Sequence, residues 1–512
     1  MTHFDTIIIG AGFSGLYQLH RCRDDLNLKT LVIEEGSDLG GTWYWNTYPG
    51  ARCDSESHTY GYTFSKNIYK NWTWNEKYPK QSTILKYLNY LEKKLNLIKN
   101  ILFNHKIISA KYLERKNLWQ IKTNKKKVLF CKYLICAVGS LSAANIPKIK
   151  GLNTYKGKYY HTGKWPKKKI NLKNQVVAQI GTGSSGIQVA PEIAKVVKKL
   201  VIFQRTPNYS IPARNKKLTR EFIINFKKDY EKIKKILKKT PGGHTFSFPN
   251  RSVFDFNDKE RNKIFEKAWS KGSLAFRACF SDITKNIKAN KTASNFIKEK
   301  ILKIVKDDKV AKILTNFDHP FTSKRPTLNT NYYETFNKKN VQLVDLKTNP
   351  IIKITKKGIK TKNKDFNFDK IIFATGYDAL TGPLLSLNLV GKKQIKLKDY
   401  WSKIPKSYLG LMIPKFPNLF IIQGPGSPSV LTNVPVQIEQ HVEWITHCIS
   451  FIELNKKRSI EASLSSAKNW SNEIKKLADA SLFMKAKSSW YKGDNIPGKP
   501  KVFIPYPGGL PR

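Results

Sequence analysis

The stretch IIIGAGFSG, residues 7 to 15, places a short apolar run directly before glycines 10, 12 and 15. In a strand-turn-helix unit, the first glycine permits the tight turn and the second lets the backbone approach a pyrophosphate. The third lets the helix pack closely on the strand, and the helix N-terminus favours the negative charge. This stretch therefore predicts a dinucleotide-binding α/β domain whose phosphate cradle contains Gly10, Gly12, Ser14 and Gly15.

The same pattern occurs a second time in VVAQIGTGSSG, residues 176 to 186, followed by the helical pattern IQVAPEIAKVV. One such glycine pattern is weak evidence for a nucleotide site, whereas two copies in strand-turn-helix context are strong evidence. We therefore predict two Rossmann-like domains, the second with a cradle made of Gly181, Thr182, Gly183, Ser184, Ser185, Gly186 and Gln188.

The residues that follow each cradle indicate which nucleotide it holds. Glu34 ends the strand after the first cradle, 24 positions past Gly10, where a carboxylate can accept hydrogen bonds from a ribose hydroxyl. Arg205 stands 24 positions past Gly181, where a guanidinium can pair with a 2′-phosphate. The first site is thus predicted to bind FAD and the second NADPH; the alternative is that both residues are strand-end surface charges.

Two apolar segments that end in small-residue turns flank the second cradle: KYLICAVGS, residues 132 to 140, and KIIFATGYD, residues 370 to 378. They predict that the NADPH domain is inserted into the FAD domain. Between the two lie helical patterns, one through Phe222, Phe226, Tyr230, Ile233 and Leu237, whose aromatic stripe we interpret as core. The predicted organisation is FAD domain 1–143, NADPH domain 144–211, helical subdomain 212–320, NADPH domain 321–376 and FAD domain 377–512.

Composition limits the function classes. Among 512 residues, 92 Lys and Arg against 37 Asp and Glu give a net charge of +55, which a nucleic-acid-binding protein could use. The lysines are spread along the chain, so we favour compositional drift and expect no specific nucleic acid partner. Six separated cysteines without a CxxC pair indicate reduced thiols rather than disulfides or a metal site. Without an 18-residue apolar run or leader pattern, we expect a cytoplasmic protein with no transmembrane segment.

Taken together, these motifs resemble the flavin-dependent Baeyer-Villiger monooxygenases. The family fingerprint FxGxxxHxxxW is matched by YKGKYYHTGKWP, residues 155 to 166, through Gly157, His161 and Trp165, with Tyr155 in place of phenylalanine. The resemblance extends over nearly the whole chain, through GGTWYWNTYPGARCD, FQRTPNY, SKRP, NYYETFN, FATGYDALTG, GPGSPS, IEQHVEW and SWYKGDNIPGKP.

This resemblance implies an enzyme that uses NADPH, FAD and dioxygen to convert a ketone to an ester or lactone through a flavin C4a-peroxide. Arg325 would be the catalytic cation, with Asp54 orienting it. The fingerprint would form a hinge between domains, and the chain is expected to be a monomer. Further residues implied for FAD are Thr42, Trp43, Tyr60, Ile107 and Val434; those for NADPH are Asp54, near the nicotinamide amide, Thr206, Lys324 and Trp490; and those for the substrate pocket are Leu141, Ser429, Val430 and Leu431.

A related class of flavin monooxygenases oxygenates the nitrogen or sulfur of soft nucleophiles and is the alternative within enzymes. The WP ending of the fingerprint and the arginine of SKRP favour the Baeyer-Villiger class.

Overall fold

The computed structural model describes residues 2–510. Its strands are β1 (Thr2–Ile9), β2 (Thr30–Ile33), β3 (Ile101–Leu102), β4 (Ile107–Leu113), β5 (Leu118–Thr123), β6 (Val128–Cys136), β7 (Lys158–His161), β8 (Val176–Ile180), β9 (Lys199–Gln204), β10 (Ser210–Pro212), β11 (Thr327–Asn329), β12 (Val341–Asp345), β13 (Ile351–Ile354), β14 (Gly358–Thr361), β15 (Asp365–Asn367), β16 (Lys370–Phe373), β17 (Leu389–Val390) and β18 (Leu419–Ile421).

The α-helices are α1 (Phe13–His20), α2 (Thr42–Trp45), α3 (Lys66–Asn71), α4 (Gln81–Leu95), α5 (Ser184–Ile193), α6 (Arg220–Lys228), α7 (Tyr230–Lys239), α8 (Asp258–Lys271), α9 (Ile287–Ile304), α10 (Asp308–Leu314), α11 (Tyr332–Thr335), α12 (Gly382–Leu385), α13 (Leu397–Tyr400), α14 (Val434–Leu454) and α15 (Leu464–Asp479).

The first sheet is built around β1, which is parallel to β2 on one side and to β6 on the other. Its strand order is β17-β4-β5-β6-β1-β2-β3, with β18 also paired to β6. Ile7 and Ile8 are fully buried, as expected for a strand covered on both faces. The first cradle therefore lies at the carboxyl end of a central strand, where α/β sheets bind their ligands.

The second sheet has the order β12-β9-β8-β16-β7, and all of its strands are parallel. In the chain, its strands all lie between β6 and β17 of the first sheet. The prediction of two Rossmann-like domains, with the second inserted into the first, is confirmed. Two smaller sheets, β13-β14-β15 and β10-β11, accompany it.

The fingerprint segment, which the resemblance implies is a hinge between domains, is in part a strand of the second sheet. Lys158–His161 forms β7, the edge strand of the second sheet, and His161 is paired with Phe373 of β16. A glycine flanks the strand on each side: a Cβ at Gly157 would collide with the Tyr155 ring, and one at Gly163 would collide with Tyr377. The segment thus belongs to the second sheet and then leaves it.

The helical region contains helices α6 to α10. The single helix predicted from Phe222 to Leu237 is wrong, because α6 ends at Lys228 and α7 begins at Tyr230, with Asp229 at a non-helical ψ of 20°. Tyr230 and Leu237 are buried as expected for core residues, but Phe222 is 39% exposed. A core shared with the second sheet includes Ile187 of α5, Phe265 of α8 and Ile297 of α9.

A close contact joins α5 to the loop after α2. Tyr48 donates a hydrogen bond to Gln188 Oε1 at 2.9 Å, and Gln188 Nε2 donates to the Arg52 carbonyl at 3.1 Å. Gly50, between them in the loop, has φ +84°, and a Cβ there would collide with the Gln188 carbonyl. The loop can approach the helix this closely only because residue 50 has no side chain.

We predict that Gly50→Ala lowers the free energy of unfolding by clearly more than Gly139→Ala. Both glycines have positive φ, which costs a non-glycine residue roughly 1–2 kcal/mol, but a Cβ at Gly139 (φ +72°) would meet nothing within 4 Å. Urea unfolding of the two variants measures the difference. Equal losses would show that the approach of the loop to α5 contributes nothing beyond backbone strain.

Candidate active site

The backbone of the first cradle is too closely packed for a side chain at two of its glycines. A Cβ at Gly10 would lie 2.7 Å from the Ala137 carbonyl oxygen, and one at Gly15 would collide with the Gly10 carbonyl. The helix α1 begins after Gly12, which supplies no side-chain cap, so its first N–H groups are left for an anion. Ser14 is buried in the first turn of this helix.

Glu34 follows β2 beside this cradle and is 5% exposed. Its carboxylate accepts hydrogen bonds from the backbone N–H groups of Ala11 and Gly36, each at 2.7 Å. Burial raises the pKa of Glu34, and these two hydrogen bonds oppose that rise. The carboxylate is thus anchored to the cradle rather than free on the surface, which argues against a strand-end surface charge.

The second cradle repeats the geometry. A Cβ at Gly181 would collide with the Ala374 carbonyl, and one at Gly186 would collide with the Gly181 carbonyl. By contrast, a Cβ at Gly183 would meet nothing within 4 Å, and α5 begins after this residue without a side-chain cap. Open space before uncapped N–H groups fits a pyrophosphate. Of the other predicted residues here, Thr182 is buried, Ser184 exposed, and Ser185 and Gln188 partly buried.

Three residues predicted around a 2′-phosphate lie near this cradle. Arg205 is exposed directly after β9, and Thr206 is partly buried. Lys324 Nζ lies 3.6 Å from the Asp318 carboxylate; burial lowers the pKa of Lys324, and the charge of Arg205 lowers it further. The structure therefore brings two cations together at the end of β9.

Arg325 and Asp54 form a two-point ion pair. Arg325 donates from Nε to Asp54 Oδ2 at 3.0 Å and from Nη2 to Asp54 Oδ1 at 2.9 Å. Its Nη1 donates to the Val430 carbonyl at 2.6 Å. Burial alone would raise the pKa of Asp54, but the charge and hydrogen bonds of Arg325 outweigh burial and lower it. The pair is therefore ionised and held in one orientation.

The residues predicted to contact a flavin occupy different environments. Trp43 and Tyr60 are both buried, with ring centroids 5.8 Å apart and nearly perpendicular at 88°. Thr42 is exposed at the start of α2, and Val434 is partly buried at the start of α14. Ile107, in contrast, is 3% exposed and packs in the core of the first sheet.

The fingerprint segment connects the second sheet to α2. His161 is 2% exposed and accepts a hydrogen bond from the Gly163 N–H at 3.0 Å; burial lowers the pKa of His161 to about 4, so it is neutral. Its ring meets that of Tyr377 at 5.9 Å, and Tyr377 donates to Asn46 Oδ1 at 2.5 Å. Trp165 is buried in the core of the second sheet, and Lys167 Nζ lies 3.5 Å from the Tyr44 ring centroid.

The predicted pocket residues divide into two groups. Ser429, Val430 and Leu431 form one turn of 3-10 helix beside Arg325, and the buried Ser429 hydroxyl has no partner in the described chain. Leu141 instead packs with Trp490 in a cluster that includes Leu380 and Ile504.

Two neighbours of the ion pair were not predicted. His244 is 7% exposed, and burial together with the charges of Arg277 and Arg325 lowers its pKa to about 3. Burial raises the pKa of Tyr491 to about 12, against the effect of the Arg325 charge. His244 belongs to no motif that the sequence analysis used. Tyr491 lies in the motif SWYKGDNIPGKP next to Trp490, but it was not singled out.

Comparison with known proteins identifies the class. A family model for flavin-binding monooxygenase-like proteins matches residues 5–240. The chain is 40% identical over 511 residues to cyclohexanone 1,2-monooxygenase from Acinetobacter sp., covering 99% of this chain and 93% of that protein. It is 37% identical over 513 residues to phenazine N-monooxygenase PhzNO1 from Lysobacter antibioticus, covering 99% and 94%.

The fold gives the same answer. The closed crystal structure of cyclohexanone monooxygenase superimposes with a TM-score of 0.97 at 38% identity, covering 100% of this chain and 96% of that one. The OTEMO complex with FAD and NADP superimposes with a TM-score of 0.95 at 35% identity, covering 99% and 96%. The chain is thus a flavin-binding monooxygenase. It belongs to the Baeyer-Villiger monooxygenase family, as the motifs predicted, and the predicted FAD- and NADPH-dependent oxidation of a ketone to an ester or lactone is confirmed at the level of this family.

Residues 2–510 contain neither a candidate membrane-spanning helix nor a candidate metal site. None of the helices in this part of the chain combines the length and apolar character needed to cross a bilayer. Within the same residues, His, Cys, Asp and Glu form no group that could hold a metal ion.

We predict that Gly183→Ala keeps the free energy of unfolding near that of the wild type but weakens NADP⁺ binding by about ten- to hundredfold, the effect of losing a hydrogen bond to a charged group. The added methyl would enter open space where the pyrophosphate is expected, whereas Gly186→Ala would strike the Gly181 carbonyl and destabilise the fold. Calorimetric titration with NADP⁺ and urea unfolding check both statements. Unchanged affinity in folded Gly183→Ala would place the pyrophosphate elsewhere.

Proposed function

We propose that, in this Baeyer-Villiger monooxygenase, Arg325 is the catalytic cation and Asp54 positions it. The observation that carries the proposal is the two-point ion pair, because it holds a permanent positive charge in a fixed orientation next to Val430, in a turn predicted to line the substrate pocket. Oxygen insertion next to a carbonyl places negative charge on oxygen, and a prearranged donor stabilises such charge.

Counting donors shows what Arg325 has left to offer. A guanidinium carries five N–H groups, and three of them are used by Asp54 and the Val430 carbonyl. Of the two that remain, one on each terminal nitrogen, one interacts with the Tyr491 hydroxyl, which leaves one for a substrate oxygen. Asp54 neutralises the resting site, so the arginine can stay charged there before a substrate arrives.

The two cradles fit the two cofactors. The first, with Glu34 and the buried pair Trp43 and Tyr60, would hold FAD, together with Thr42 and Val434. For Ile107 we propose packing beneath the nucleotide, because its side chain lies in the core. When bound, FAD accepts hydride from NADPH and activates dioxygen; the protein's part is to hold both cofactors, exclude water and hold the substrate's oxygen.

NADPH preference would come from Arg205, Thr206 and Lys324. Arg205 and Lys324 place two positive charges near the end of β9, and a 2′-phosphate would relieve their mutual repulsion. Trp490, which packs with Leu141, would cover the cofactor.

The fingerprint would couple movement of the second sheet to the site. Within the fingerprint, His161 meets the Tyr377 ring, and Tyr377 donates to Asn46 directly after α2. Lys167, one position past the fingerprint, lies over the Tyr44 ring of α2. A shift of the second sheet would therefore be transmitted to α2, which contains Trp43. We propose that His161 positions this contact in its neutral form.

The expectations about domain boundaries, oligomeric state, location and nucleic acid partners stay proposals. We propose the domain boundaries 1–143, 144–211, 212–320, 321–376 and 377–512, a monomer, a cytoplasmic location and no specific nucleic acid partner. The spread of the lysines along the chain supports the last of these.

Nitrogen oxygenation is the second candidate. Its support is the phenazine N-monooxygenase relative, which is 37% identical over 99% of this chain, so overall similarity does not separate the two chemistries. Product analysis with cyclohexanone and with phenazine separates them: we expect a lactone from the first and no N-oxide from the second.

We predict that Arg325→Ala binds FAD and is reduced by NADPH, yet forms ester at least 10²- to 10³-fold more slowly, the typical loss for one oxyanion donor. Arg52→Ala is the matched control, because Arg52 also contacts a carboxylate, Glu76 at 3.5 Å, and a carbonyl, that of Tyr78 at 3.1 Å. Anaerobic stopped-flow reduction followed by aerobic product analysis measures both steps. Ester formation by Arg325→Ala at the rate of the control would remove Arg325 from the mechanism.

We predict that Arg205→Ala weakens NADPH by about ten- to hundredfold while leaving NADH nearly unchanged, because a charge-assisted hydrogen bond contributes roughly 1.5–3 kcal/mol. Lys199→Ala, which removes an exposed cation at the other end of the same strand, is the control. Steady-state kinetics with both nucleotides give the ratio. A wild type that uses NADH as well as NADPH would contradict the assignment.

A further inference from the structure

Residues 490–504 form a closed loop near the end of the chain, which we call the C-terminal loop. It is closed at its base by the Ile504 N–H, which donates to the Tyr491 carbonyl at 2.8 Å. Tyr491 is 2% exposed, packs against Trp490 with ring centroids 4.5 Å apart, and has a hydroxyl that interacts with Arg325. The base of the loop therefore places a buried tyrosine beside the proposed catalytic cation.

The far end of the C-terminal loop is bonded to the turn that follows β16. Lys499 Nζ donates to Asp378 Oδ1 at 2.5 Å and to the Ala379 carbonyl at 2.8 Å. Asn495 Nδ2 donates to the Tyr377 carbonyl at 3.1 Å. The lysine side chain is 9% exposed and the aspartate side chain 32%, so water screens this ion pair less than a pair on the surface. These contacts fix the loop to one turn of the chain.

This turn is part of the connection between the two domains. It leaves the second sheet after β16, and it is bonded to the segment by which the chain first leaves the first sheet after β6. The Asp378 N–H donates to the Ala143 carbonyl at 2.9 Å, and the Leu380 N–H donates to the Ser140 carbonyl at 2.8 Å. The C-terminal loop is therefore attached where the two crossings between the domains meet.

The position of Tyr491 determines how many donors Arg325 has free. Asp54 and the Val430 carbonyl occupy three of its five N–H groups, and the Tyr491 hydroxyl interacts with one of the other two. If the loop left the site, this N–H would bind water instead, and water would reach the place where negative charge develops. Excluding water strengthens the attraction between a cation and such a charge. A loop held in place thus makes Arg325 more effective.

We propose that Lys499 is a positioning residue for the oxygenation reaction: its ion pair with Asp378 holds the C-terminal loop at the domain connection and thereby keeps Tyr491 at Arg325. This inference rests on the proposed function, since it takes Arg325 as the catalytic cation. Because the charge that Arg325 stabilises develops only during the reaction, loss of the ion pair should lower kcat more than it raises the KM of the ketone.

The kinetic test uses the NADPH-supplied holoenzyme with cyclohexanone. Lys499→Met should lower kcat for lactone formation about ten- to hundredfold, the effect of losing a hydrogen bond to a charged group, and should change KM much less. Asp378→Asn should also lower kcat, and the double variant should lose no more than the larger of the two single losses. Lys501→Met, which removes an exposed charge from the same loop, is the matched control and should keep the wild-type kcat.

Proteolysis gives a second readout that does not depend on turnover. Chymotrypsin cleaves after aromatic residues, and Tyr491 is buried while the loop is in place. Because cleavage follows the population of the opened form, cleavage of the oxidised holoenzyme after Trp490 and Tyr491 should be about ten- to hundredfold faster in Lys499→Met than in the wild type or in Lys501→Met. Mass spectrometry of the fragments identifies the cleaved bonds.

Urea unfolding shows which variants are folded, and Asp378→Asn takes the place of Lys499→Met if the latter is not. Unchanged kcat in the folded variant would overturn the inference, whether or not cleavage is faster. A lower kcat with unchanged cleavage would also overturn it, because Lys499 would then act without the loop, as would additive losses in the double variant. A wild type that forms no lactone would instead count against the proposed function, and the proteolysis would still decide whether Lys499 holds the loop.

Discussion

The ion pair between Arg325 and Asp54 joins segments that are 271 positions apart in the sequence. Asp54 follows the loop that packs on α5, and Arg325 follows the helical region and precedes β11, while the Val430 carbonyl completes the contact from the C-terminal part of the chain. Because a two-point contact fixes both position and orientation, these three parts of the chain can meet in only one way at the candidate site. The ion pair therefore fixes how the segments that contribute to the candidate site lie relative to one another.

The parts of the fold that could be predicted from sequence are those that local geometry determines. The spacing of Gly10, Gly12 and Gly15 specifies a strand, a turn and a helix within a few residues, so β1 and α1 were predictable without knowing what surrounds them. The edge strand β7 was not, because its four residues pair only with β16, more than 200 positions later. The break at Asp229 was missed for a similar reason. Apolar residues keep helical spacing across it, whereas the turn depends on how Tyr230 packs against parts of the chain that are distant in sequence.

The residues of the candidate site that were predicted from sequence are those that stand in recognisable motifs. Arg325 and Asp54 stand in SKRP and GARCD, and the structure brings them together. Arg277 and His244 stand in no such motif, and their surroundings become visible only when the helical region folds against the ion pair. Composition was no guide to this either. A net charge of +55 describes mainly exposed lysines, which water and salt screen, and it does not indicate where the Arg325–Asp54 pair lies.

The two-point contact also bears on the proposed role of Arg325. A guanidinium that was free to rotate would have to be reoriented before it could stabilise an oxygen that becomes negative. Here Arg325 is held by Asp54 and the Val430 carbonyl. Because its orientation is fixed in advance, no rearrangement of this charge would be needed at the moment of reaction, which is the condition under which a donor stabilises developing charge best.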